Sequence, residues 1–144
     1  MNAYQHILVA VDFTDSVKGV IERAQKMAEK DNAKLSMVHV VEPAPVDFLD
    51  QTMLVDINLD ELLLKTAKQQ MQTLAERYSV SDSNTHIEIG SVKSEVFKLV
   101  ETLSVDLVVV GSHGRHGLGL LLGSTANAVL HGAPCDVLAV RVND

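Results

Sequence analysis

The densest chemistry in the chain lies in one run, Gly111-Ser112-His113-Gly114-Arg115-His116-Gly117-Leu118-Gly119-Leu120-Leu121-Leu122-Gly123-Ser124-Thr125. Five of the protein's eight glycines fall in its first thirteen residues, directly after the apolar stretch Leu107 to Val110. Gly111 and Gly114 let a backbone turn sharply and approach a ligand closely, with amides converging as an anion nest. Gly123-Ser124-Thr125 then opens a helical pattern, where unpaired amides, the positive end of the helix dipole and two hydroxyls suit a phosphate. The two glycine groups match the two ends of a polyphosphate or nucleotide. Arg115 adds a permanent charge, and His113 and His116 add donors. The competing reading is a plain flexible loop with Ser124 as an ordinary cap, and a glycine cluster alone does not decide between them. Position favours the ligand reading, because in open α/β sheets ligands bind beyond the carboxyl ends of the strands. The run holds no Gly-Lys-Ser or Gly-Lys-Thr triplet, and no G-x-G-x-x-G follows the first apolar stretch.

Asp12 ends that first stretch, Ile7 to Val11. It suits a turn or helix cap. Beside a nucleotide, its carboxylate would be repelled by phosphate and would accept instead from ribose hydroxyls or an adenine amino group. Backbone groups near Val40, at the end of a second apolar stretch, offer adenine contacts. His113 and His116 lack the third ligand of a zinc site, so no metal site is expected. Satisfied structural roles are expected for His6, His39, His86 and His131. Cys135 has no second cysteine to pair with and no adjacent base, which points to a structural thiol. Phosphoryl transfer needs groups that hold a metal, neutralise charge and position a base or water. The glycine run offers amides and one arginine but neither lysine nor carboxylate, so no catalytic residue is assigned and slow hydrolysis is the most it would support.

These residues need elements to position them. Ile7 to Val11 reads as a strand buried on both faces. Val17, Val20, Ile21, Ala24, Met27 and Ala28 then recur at helical spacing, with Thr14, Asp15 and Ser16 available as N-caps and Asn32 as a stop. Gly19 within this helix costs about 1 kcal/mol relative to alanine. Leu35 to Val41 is a second strand. The segment 46–57 has neither period. Asn58 caps a long helix with the stripe Leu59, Leu63, Ala67, Met71, Leu74 and Tyr78, and Glu61 completes an approximate capping box. Thr85 to Ile89 is the third strand, and Gly90-Ser91 leads into a helix with the apolar face Val96, Leu99, Val100 and Leu103. Leu107 to Val110 is the fourth strand, Ser124 to Leu130 a short helix closed by Gly132-Ala133-Pro134, and Val137 to Val142 the fifth strand. Strands alternating with helices imply one parallel sheet covered on both faces, an α/β doubly wound open sheet of five strands and four helices. A single domain spanning 1–144 is expected.

Composition bounds the rest. Twelve basic and nineteen acidic side chains give a net charge of −7, and few aromatics are available for stacking, so nucleic acid is not the expected ligand. One cysteine argues for a reducing, cytoplasmic location. The apolar runs are far shorter than the roughly 20 residues of a membrane span, and the segment at Ile7 stops at Asp12, unlike a secretory signal.

The opening Tyr4-Gln5-His6-Ile7-Leu8-Val9-Ala10-Val11-Asp12, the strand containing His39-Val40, Val105-Asp106-Leu107-Val108-Val109-Val110-Gly111 and the ending Ala133-Pro134-Cys135-Asp136-Val137-Leu138-Ala139-Val140 together resemble the universal stress protein family. The resemblance covers nearly the whole chain. It implies a three-layer α/β/α Rossmann-like sheet of the adenine nucleotide alpha hydrolase type, and a homodimer formed through the last strand, Val137 to Val142. Family members that bind nucleotide carry G-x2-G-x9-G followed by serine or threonine. Here Gly111-x2-Gly114 and Gly123-Ser124 match, with eight residues between Gly114 and Gly123 in place of nine. Conversely, Leu54-Val55-Asp56-Ile57-Asn58-Leu59 resembles the middle segment of the group that lacks the motif. The resemblance implies ATP or AMP as ligand, with Mg2+ accompanying ATP. Asp12 would contact ribose or adenine, Ala10 and Val11 the base, and Val40 the adenine edge. Gly111 and Gly114 would line the ribose and phosphate path, with Gly123, Ser124 and Thr125 on the phosphates. Arg115 and His113 join them on grounds of charge and donor chemistry. The expected role is a cytoplasmic, nucleotide-dependent stress regulator; the alternatives are a slow ATPase and a dimeric interaction scaffold without nucleotide.

Overall fold

The computed structural model describes residues 3–43, 59–112 and 124–141, without the side chains of Leu59, Ser124 and Thr125. Its strands are β1 (His6–Ala10), β2 (Lys34–Val41), β3 (Thr85–Ile89), β4 (Leu107–Gly111) and β5 (Asp136–Val140). The helices are α1 (Val17–Asp31), α2 (Leu59–Arg77), α3 (Val92–Leu103) and α4 (Ser124–Leu130), with a 3-10 turn at Asp82–Asn84. All strand pairs are parallel, in the order β3-β2-β1-β4-β5. The chain therefore winds outward from β1 through β2 to β3, then returns across the sheet to β4 and β5.

Alternation along the strands divides the core into two layers. Ile7, Val9, Met37, Leu107 and Val109 face α1 and α2, where Val20, Ile21, Ala24, Met71 and Leu74 meet them. Leu8, Val38, Val108 and Val110 face α3 and α4, against Val96, Leu99, Val100, Ala126 and Val129. The central strands are continuous apolar runs because helices cover both their faces. This is the doubly wound α/β sheet expected from the alternation of elements.

Element ends follow local chemistry. Asn32 closes α1 in the left-handed region at φ 53°, and the Ser91 hydroxyl caps α3 by accepting from the Ser94 amide at 3.2 Å. Gly90 (φ 145°) and Gly132 (φ 85°) occupy conformations that side-chain-bearing residues rarely adopt. Three expectations are corrected. Ser16 stands at the N-cap of α1 with φ −67°, yet its side chain makes no cap hydrogen bond. The Val17 amide instead closes a turn on the Thr14 carbonyl at 3.2 Å. The first strand ends at Ala10, although Val11 stays buried and its amide still bonds the Val38 carbonyl at 2.8 Å. The fifth strand runs Asp136–Val140, leaving Arg141 outside it, because its neighbour β4 ends at Gly111, opposite Val140. The Asn58 cap, the segment 46–57 and Val142 lie outside the described residues.

Candidate functional site

The strand order reverses between β1 and β4, so their carboxyl ends flank the crevice in which sheets of this topology take ligands. Val9 stands opposite Val109, and counting on brings Val11 level with Gly111. Asp12 follows at once, exposed. Its Oδ1 accepts from the Thr14 amide at 3.2 Å and the Thr14 hydroxyl at 2.6 Å, an aspartate turn that starts the path into α1. Both bonds fall on one oxygen, which leaves Oδ2 without a hydrogen-bond partner among the described residues. Asp12 is thus a turn residue and an available acceptor at once.

Ala10 and Val40 lie half-buried on the α3/α4 side of the sheet, at the ends of neighbouring strands. Val11 points its side chain into the opposite layer, 5% exposed. Its carbonyl accepts from His39 Nδ1 at 2.7 Å, and the His39 ring packs on Phe13 with centroids 4.3 Å apart. A carbonyl only accepts, so the proton sits on Nδ1. His39 therefore braces the chain on both sides of Asp12, a structural role for this histidine that also holds the candidate site in shape.

Across the crevice, Gly111 is half-buried and ends β4 opposite Val140. Ser112 follows, 7% exposed, its amide donating to the Val140 carbonyl at 2.8 Å. Its hydroxyl is buried without a hydrogen-bond partner among the described residues. Sequence reasoning passed over Ser112; the available signal was its parity with Val108 and Val110, which sends a polar side chain to a buried face. His113, Gly114, Arg115 and Gly123 lie outside the described residues, while Ser124 and Thr125 open α4. The described residues thus bring Ala10, Val11, Asp12, Val40 and Gly111 to one end of the sheet. Among them no three His, Cys, Asp or Glu residues gather to hold a metal ion.

The remaining titratable groups sit elsewhere. His6, 7% exposed, has Nδ1 on the Leu103 carbonyl at 3.0 Å and Nε2 on the Ser36 hydroxyl at 2.7 Å. Asp106 accepts the Gln5 and His6 amides at 2.9 and 3.0 Å, so this amino end of the sheet is sewn together by structural polar contacts. Burial holds the half-buried His86 imidazole below its ordinary pKa. Cys135 is half-buried, its thiol donating to the Asp136 carbonyl at 3.4 Å. Burial first, then the Asp136 and Asp106 carboxylates, push its pKa up, opposite to what a nucleophile needs.

Compared with known proteins, residues 3–141 match the model of the universal stress protein family. Universal stress protein A homolog 1 of Coxiella burnetii (strain RSA 493 / Nine Mile phase I) is 43% identical over 142 residues, covering 98% of this chain and 99% of that protein. The structure of universal stress protein UspA from Lactobacillus plantarum matches with a TM-score of 0.75 at 26% identity, over 99% of this chain and 100% of that one. A crystal structure of a universal stress protein in complex with cAMP matches with a TM-score of 0.62 at 28% identity, over 96% and 98% of the two chains. The match in sequence runs almost from end to end, and the fold agrees strand for strand with the parallel sheet it implies: the chain belongs to the universal stress protein family.

Proposed function

We propose that this chain binds an adenine nucleotide, ATP or AMP, across the carboxyl ends of β1 and β4, and that occupancy of this site is its regulatory signal in the stress response. The observation that carries the reading is the reversal of strand order, which brings the acceptor Asp12, just past β1, and Gly111, the last residue of β4, to the ends of two neighbouring strands. The cAMP complex of a family member supports an adenine nucleotide as the ligand class. In this reading Asp12 Oδ2 accepts from the ribose hydroxyls or the adenine amino group. Ala10, Val11 and Val40 frame the base through backbone groups, and Gly111 borders the ribose. Gly114, Gly123, Ser124, Thr125, Arg115 and His113 take the phosphates, with Mg2+ accompanying ATP. The exposed carboxylate and the strand-end glycine fit such a ligand: one accepts from its sugar, and the other lets it approach the backbone closely.

Calorimetric titration with ATP, ADP and AMP tests this. Binding is expected for at least one of them, with Gly114→Val and Gly123→Val abolishing it while circular dichroism stays native. No binding at millimolar nucleotide retires the reading, and full affinity in both variants moves the site elsewhere. Little phosphate release is expected, because the site offers no second carboxylate to position water.

Self-association belongs to the same proposal. β5 is an edge strand whose Val137, Leu138, Ala139 and Val140 are apolar and half-buried, and pairing with a second copy would satisfy its open backbone groups. The cytoplasm is the proposed location, on the ground of a single cysteine with no second one to pair with.

A further inference from the structure

Among the described residues two serines are buried, and they differ in one respect. Ser36, 1% exposed, holds His6 Nε2 at 2.7 Å through its hydroxyl. Ser112, 7% exposed, satisfies its amide with the Val140 carbonyl, yet its hydroxyl has no partner among the described residues. A buried hydroxyl left unpaired destabilises a fold, and alanine would fill nearly the same space without that penalty. A polar group kept at such a cost points to a use outside the fold.

Placement suggests which. Ser112 shares the parity of Val108 and Val110, so it belongs to the sheet face that carries Ala10 and Val40 and against which α4 packs. It stands at the end of β4, one residue past Gly111, on the strand bordering the reversal of order. We infer that the Ser112 hydroxyl is a ligand contact, donating a hydrogen bond to a phosphoryl oxygen of the bound nucleotide. This rests on the nucleotide reading and adds to it a side chain at a position that the glycine pattern leaves unspecified. Donation to an anionic oxygen is among the stronger hydrogen bonds, and it removes the unpaired group when the ligand arrives. Binding and local stability are thereby linked: what weakens the unliganded protein strengthens the complex.

The test compares wild type with Ser112→Ala and Ser112→Cys, measuring ATP and AMP affinity and the melting temperature of the unliganded protein. Ser112→Ala should lose at least about tenfold in affinity for both nucleotides, while melting at or above the wild-type temperature without ligand. Ser112→Cys keeps a weaker donor of similar shape and should fall between the two in affinity. Unchanged affinity in Ser112→Ala, with wild type binding normally, overturns this inference alone. An unliganded Ser112→Ala that melts below wild type also overturns it, because the hydroxyl would then serve the fold. If wild type binds neither ATP nor AMP, the nucleotide reading fails and this inference goes with it.

Discussion

At the scale of single residues, the polar groups fall into those the fold already uses and those it leaves over. His6, Ser36 and Asp106 are used: their bonds tie β1, β2 and the start of β4 together at the amino end of the sheet. Among the described residues Asp12 is half used, through Oδ1 alone, and the Ser112 hydroxyl is left over. Cys135 belongs to the first group and should behave so. Its raised pKa means less thiolate at any given pH, hence slower alkylation. Iodoacetamide at pH 8 should modify native Cys135 more slowly than free cysteine, with the rate still climbing above the usual thiol range. Modification as fast as the free amino acid would show that the burial argument is wrong. Asp12 and Gly111 were legible in the sequence because a charge or glycine ending an apolar run marks a strand end. Ser112 was not, because one hydroxyl after a strand reads as loop until its parity is fixed by a known register. The Asx turn at Asp12 needed coordinates too, since Thr14 and Ser16 were equally plausible local partners.

At the scale of elements, the strands and helices were readable wherever the periodicity was strong. β3, α1 and α4 fall where the pattern placed them, and β1, β2, β4 and β5 shift by a residue or two at their ends. The early end of β5 has its origin outside β5's own sequence: an edge strand lasts only as long as its neighbour, a property of the pair rather than of either sequence. β5 stops at Val140 because β4 has nothing to offer beyond Gly111 except the Ser112 amide. The segment 46–57 gave no period, so nothing in it announced an element. Gly19 is a case where local sequence works against the element that contains it. It sits within α1, and a Cβ built there meets nothing within 4 Å. Gly19→Ala should therefore gain about 1 kcal/mol from helix propensity without a steric penalty. Thermal unfolding should move up by about 2–4 °C for a domain of this size. A fall in melting temperature would mean that α1 needs the glycine for some contact outside the chain.

At the scale of the whole molecule, stability rests on two apolar layers, since an exposed pair such as Lys98–Glu95 adds little. The net charge of −7 says little about the ligand, because the run from Gly111 to Thr125 carries no acid at all. It bears instead on self-association, which repulsion between copies opposes and an apolar edge favours. The backbone of β5 indicates how to separate those effects. The Val140 carbonyl accepts from the Ser112 amide, so Val140 turns its polar groups toward β4. Within a strand, the N–H and C=O of one residue face the same side, and alternate residues face opposite sides. Ala139 therefore directs its N–H away from β4, to the open edge. Proline at that position removes an edge donor and leaves the β4 ladder intact, the placement sheets tolerate. In a two-fold symmetric pair each substitution counts twice. Ala139→Pro should weaken self-association by at least about tenfold, read by light scattering across a dilution series, with circular dichroism and ATP affinity near wild type. A wild-type protein that is monomeric at every concentration would remove the proposed dimer. A variant that still pairs with wild-type strength would place the contact between copies on some surface other than the β5 edge.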